Sequence, residues 1–114
     1  MREKREYGDY INDMLDSIKN TVEFTRGMNY EKFFRDTKTN LATIRCLEIL
    51  GEAAKNIPEG IRDKHNDIPW KKIIGLRNRV AHEYFGIDLK LVWNIVSEEL
   101  PKLKLLILKL AKKQ

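Results

Sequence analysis

Apolar residues recur with a helical period through most of the chain. Ile11, Met14, Leu15, Ile18 and Val22 follow the i, i+3, i+4, i+7 spacing of one helical face, which predicts a first helix from about Gly8 to Arg26, with Gly27 placed to end it. Tyr30, Phe33 and Phe34 mark a short helix or packed turn over 29–35, ahead of cap candidates between Thr37 and Asn40. A second long helix is expected from about Asn40 to Ile57, with Leu41, Ile44, Leu47, Leu50, Ala54 and Ile57 as its buried stripe, stopping before Pro58. Gly51 weakens that helix by roughly 1 kcal/mol relative to alanine, so close approach of a neighbouring backbone is the reason to expect for it.

After a polar connector from Pro58 to Asp67, Pro69 suits the first turn of a third helix. Its apolar positions Trp70, Ile73, Ile74, Val80, Ala81 and Tyr84 keep helical spacing up to Phe85, and Gly86 would stop it. From Asp88, an N-cap candidate, a fourth helix carries Val92, Val96, Leu100, Leu103, Leu106, Ile107 and Leu110 into a lysine-rich end that complements the helix dipole. Pro101 should kink it. With no strand-like alternation, hairpin dipeptide or repeat, the pattern predicts an all-α protein, an antiparallel four-helix bundle with a short additional helix. At 114 residues it fits one domain.

The charge balance adds a preference for polyanions: 22 Lys+Arg against 17 Asp+Glu leave +5. Lys71, Lys72, Arg77 and Arg79 fall in one stretch without an acid. The charged start Met1 to Glu6 is unsuited to a secretory signal, and no apolar run reaches the roughly 18 residues of a membrane span, so a cytoplasmic protein is expected. Cys46 is the only cysteine, which leaves no internal disulfide and no cysteine-based zinc site. His65 beside Asp63 and Asp67 is a weak metal signal, read as solvated, and no cofactor or metal is expected. Trp70 and Trp93 are read as core residues.

The chemistry concentrates in Arg77-Asn78-Arg79-Val80-Ala81-His82-Glu83-Tyr84. Arginine presents a rigid fork suited to phosphate, and histidine exchanges protons near neutrality, which together suggest phosphoryl chemistry on nucleic acid. On a continuous helix Asn78 and His82 would share a face, with Arg77 emerging from the core side toward a cleft and Arg79 nearly opposite as a solvated or RNA-backbone contact. The plainer reading pairs Arg77 with Glu48 or Glu52 and lets His82 merely end a helix favourably.

Arg77, four intervening residues, His82, one residue and Tyr84 resemble the signature of the HepT-like branch of the HEPN superfamily, small helical toxins paired with minimal nucleotidyltransferase antitoxins. Leu50-Gly51-Glu52-Ala53-Ala54-Lys55, Ile68-Pro69-Trp70 and the run from Asp88-Leu89 to Leu100-Pro101 extend the resemblance over most of the chain. It implies a single HEPN-like domain over 1–114, acting as a homodimeric, metal-independent endoribonuclease with the two motif helices facing across a shared cleft. His82 would serve as acid or base, Arg77 would neutralise the phosphate, and Asn78 would orient one of them. Lys71, Lys72 and Arg79 would contact the RNA backbone. Tyr84 would be the hydroxyl to which the partner attaches AMP, silencing the site. A rival reading is a non-catalytic subunit that binds a nucleotidyltransferase and possibly a nucleotide. A third, a generic helical dimerisation module, assigns no role to Arg77, His82 or Tyr84.

Overall fold

The computed structural model describes residues 5–82 and 86–113, with the backbone alone at 81, 82, 86 and 87. The described residues form a helical bundle with one short two-stranded bridge. Helix α1 spans Tyr7–Thr25, α2 Tyr30–Arg35, α3 Thr37–Lys55, α4 Glu59–Lys64, α5 Trp70–Ile74, α6 Leu76–Val80, α7 Leu89–Asn94 and α8 Leu100–Lys112, with a π-helical turn at Ile95–Glu99 joining the last two.

Helix α1 buries Ile11, Met14 and Ile18 against Leu47, Leu50 and Ala54 of α3 and Ile107 of α8, a continuous apolar core that also takes in Phe33, Trp70, Ile73, Leu76, Val80 and Val92. Each such side chain contributes roughly 1.5–3 kcal/mol when fully removed from water. Toward its end α1 turns small and polar. Thr21 and Thr25 are buried and donate their hydroxyls back to the carbonyls of Ser17 and Thr21, both at 2.8 Å. Gly27 follows with φ +73°, a left-handed conformation that glycine adopts without a Cβ penalty, and it closes the helix as the sequence leads one to expect.

Caps explain three further helix starts. The Asn29, Asp36 and Asp88 side chains accept the backbone N–H of Lys32, Thr39 and Leu91, each at 3.0 Å, and so start α2, α3 and α7. That bond from Thr39 also holds the Asp36 carboxyl below the usual carboxylate range. Cys46 is buried, and desolvation pushes its thiol up.

Three expectations are corrected. The connector over 58–67 contains α4, which carries no buried residue and so leaves no stripe in the sequence. The third helix is not continuous from Pro69 to Phe85. It breaks at Gly75, which caps α5 through Lys71, resumes as α6, and ends at Val80. The chain then extends: Ala81 pairs with Ile87 and His82 with Gly86 in a short antiparallel bridge, and the Val80 carbonyl accepts the Asp88 N–H at 2.9 Å. Gly86 is therefore part of that bridge rather than a helix stop.

In the fourth helix the expected disturbance by Pro101 takes the form of the π turn just before it. Proline lacks an N–H and its ring crowds the carbonyl four residues back, at Ser97, so a widened turn there relieves the clash. No described helix is long and apolar enough to cross a membrane.

Candidate ribonuclease site

Helices α5 and α6 are five residues each, too short to hold themselves in water, and packing fixes them in place. The closest contact is at Gly51. A Cβ built there would lie 2.9 Å from the Ile73 carbonyl oxygen and 3.5 Å from that of Ile74, so α3 and the end of α5 meet backbone to backbone. This is the close packing that a mid-helix glycine suggested. At the other end of α5, the Trp70 indole N–H donates to the His65 carbonyl at 3.0 Å. Leu76 and Val80, one helical turn apart, then bury α6 along one side.

That anchoring turns Arg77 and Asn78 outward. Together with Ile74 they face Glu48, Gly51, Glu52 and Lys55 of α3 across a cleft of about 240 Å³. The Arg77 side chain is 76% exposed, and its Nε lies 3.7 Å from the Glu48 carboxylate. Such a long, solvated contact holds a guanidinium weakly and leaves most of its fork open to an incoming anion. Glu48, named above as a structural partner for Arg77, is therefore adjacent to it without engaging it in a short hydrogen bond.

The structure brings Arg77 and Asn78 to one cleft and sets Lys71 and Lys72 beside others. Because α6 ends at Val80, His82 does not continue the Asn78 face of a helix; its backbone belongs to the bridge that follows. Tyr84 lies outside the described residues. Lys71 and Lys72 are exposed, yet they line two other hollows, Lys71 beside Trp70 and Arg62, Lys72 beside Arg79 and Glu98.

Arg79 departs most from expectation. Rather than solvated, it is one-quarter exposed and grips Glu99 with both terminal nitrogens, at 3.0 and 2.8 Å. These hydrogen bonds raise the Arg79 pKa and hold the Glu99 carboxyl below the usual range, with the charges of Arg79 and Lys72 adding to the latter against partial desolvation.

Glu99 went unread in the sequence although a signal existed. It stands three residues after Val96 and four before Leu103, within the core-facing row of the last helix. A carboxylate in such a row calls for a cationic partner. Among the described residues no three His, Cys, Asp or Glu side chains gather where they could hold a metal ion.

An arginine and an amide on a short helix thus lead directly into a histidine. The family described as "Ribonuclease HepT-like" matches residues 14–110. The "Probable ribonuclease HepT" of Thermococcus cleftensis is 44% identical over 101 residues, covering 89% of this chain and 92% of that protein. The "Putative RNase MJ1380" of Methanocaldococcus jannaschii is 43% identical over 101 residues, covering 89% and 93%. No solved structure matches. The chain belongs to the HepT-like ribonuclease family of the HEPN superfamily, and with it to the endoribonucleases.

Proposed function

We propose that this protein is the toxin of a toxin–antitoxin pair, a metal-independent endoribonuclease that cleaves RNA at a site composed by two copies of the chain. The observation that carries the reading is the Arg77–Asn78 cleft: an exposed guanidinium fork, loosely held by Glu48, a few residues before His82.

In the proposed reaction the ribose 2′-oxygen attacks the adjacent phosphorus. A base takes the 2′-proton, the bond from phosphorus to the 5′-oxygen breaks, and an acid protonates that oxygen, leaving a cyclic phosphate and a 5′-hydroxyl. Arg77 neutralises the charge that builds on the phosphorane, and Asn78 orients the phosphate or the imidazole. One His82 per motif supports a homodimer, in which symmetry-related imidazoles act as base and acid from opposite sides. Proton transfer and charge neutralisation are then both supplied by side chains, which is the basis for metal independence. RNA would reach the cleft over Lys71 and Lys72; Arg79, engaged by Glu99, is withdrawn from that set.

Control is proposed at Tyr84. An AMP group attached there by a minimal nucleotidyltransferase would set a bulky anion two residues from His82 and repel RNA.

One observation favours the rival reading of a binding subunit: Glu48 and Glu52 line the cleft beside Arg77 and oppose phosphate entry. The test is incubation of total RNA in EDTA with protein verified by mass to be unmodified at Tyr84, beside His82→Ala. Cleavage by the unsubstituted protein alone supports the nuclease. Cleavage by neither selects the binding subunit.

A further inference from the structure

We propose that Glu99 is a positioning residue for RNA cleavage, which holds α6 through Arg79 and thereby aims Arg77 and Asn78 into their cleft. The inference rests on the nuclease reading above and concerns a residue outside the signature.

Helix α6 has two anchors in the core, Leu76 and Val80, and both lie on one side of it. Two contacts along one line leave a short helix free to roll about that line. Rolling would swing Arg77, on one flank, through an arc. Arg79 projects from the other flank, and its fork onto Glu99 supplies the third point that removes the roll. A bidentate pair suits this purpose because both nitrogens and both oxygens are fixed in one plane, so it constrains orientation as well as distance.

The partner is itself held by an irregular feature. Glu99 closes the π turn, where the Pro101 ring forbids an ordinary helical turn. Its neighbours Ile95, Val96 and Leu100 are buried, so the carboxylate is presented from a fixed support. A hollow of about 410 Å³ beside the pair is floored by Ile73, Leu76 and Leu103, which leaves Arg79 and Glu99 as a bridge between the motif helix and the last helix. Ion pairs that keep this much contact with water, 25% exposed at Arg79 and 38% at Glu99, contribute only modestly to global stability. An effect of Glu99 would therefore be felt in geometry more than in folding.

The experiment compares cleavage by the full-length protein with that of Glu99→Gln, Arg79→Lys and the exchanged pair Arg79→Glu/Glu99→Arg. The expected result is a fall in kcat of up to about a hundredfold in each single variant, with KM changed less than about threefold, since a misplacement near 1 Å costs that much in rate. The exchanged pair should recover most of the loss, which assigns the effect to the contact between the two residues, and a fall in kcat without a matching change in KM separates positioning from a merely structural role. Hydrogen exchange at the amides of 77–80 gives a second readout that needs no cleavage: it should quicken in Glu99→Gln while α1 and α3 remain unchanged. Unaltered kcat in active Glu99→Gln, or unaltered exchange over 77–80, overturns the proposal. Absence of cleavage by the unsubstituted protein would instead overturn the nuclease reading, and the exchange measurement would still decide whether Glu99 holds α6.

Discussion

Gly51 lies so close to the carbonyl of Ile73 that a methyl group on its Cα would come within 2.9 Å of the oxygen. Alanine at 51 should gain about 1 kcal/mol in helix propensity, yet the obstructing atom is backbone and cannot step aside as a side chain could. Overpacking of this kind costs about 1–3 kcal/mol, so Gly51→Ala should lower the denaturant midpoint. Because Ile73 and Ile74 lead directly to Arg77, RNA cleavage should fall as well, even where the variant is fully folded.

Arg77→Lys keeps the charge and loses the planar fork. Removing one preorganised contact to a developing phosphorane costs on the order of 10²–10³ in kcat, so Arg77→Ala should fall by about that factor and Arg77→Lys by less. Single-turnover cleavage of a defined RNA checks both.

Glu48 exerts the opposite influence on the same guanidinium. Its removal as Glu48→Gln in the His82→Ala background should tighten RNA binding by roughly two- to fivefold at low salt, the scale of one exposed ion pair. The gain should shrink as salt is added. A fluorescence titration at two ionic strengths measures it.

Acid titration should report the Arg79–Glu99 fork. The Glu99 carboxyl is held below its unfolded range, first by the Arg79 hydrogen bonds. Its contribution is therefore complete above the unfolded value, near 4.3, and is lost as pH falls through the lower folded value. Solvent screening limits that contribution to about 1 kcal/mol. Wild type should exceed Glu99→Gln in stability by this amount at neutral pH, and the two curves should converge in acid.

Thr43 presents a different case. Its hydroxyl is buried and has no hydrogen-bond partner, whereas Thr21 and Thr25 across the same helix pair satisfy theirs within α1. Thr43→Val retains the shape and removes the orphaned group, so it should stabilise the fold by about 1 kcal/mol. Thermal unfolding is a sufficient check.

The long helices were legible because one face of each is buried. Ile11, Met14 and Ile18, or Leu47, Leu50 and Ala54, can only be read one way. The third helix was misread for the same reason. Trp70, Ile73 and Val80 keep helical spacing across a break that Gly75 makes, and the bridge between 81–82 and 86–87 is a pairing that no 3.6-residue period can express. The motif residues stand out in the sequence by their chemistry, and the structure sets Arg77 and Asn78 at one cleft. Their arrangement does not stand out there, since it depends on Gly51 meeting a backbone carbonyl and on Glu99 reaching a residue twenty positions away.

The burial of Trp70, with its indole N–H on the His65 carbonyl, gives this protein an optical reporter of its own. The chain has two tryptophans, and the other, Trp93, packs against Phe33 with the rings tilted by 40°. With Trp93 replaced by phenylalanine, all indole emission would originate at the first residue of α5, the helix that ends against Gly51. Water entering at that point shifts the emission to the red. Loosening of the support beneath Arg77 could then be followed in real time, without a label and apart from unfolding of the rest of the bundle.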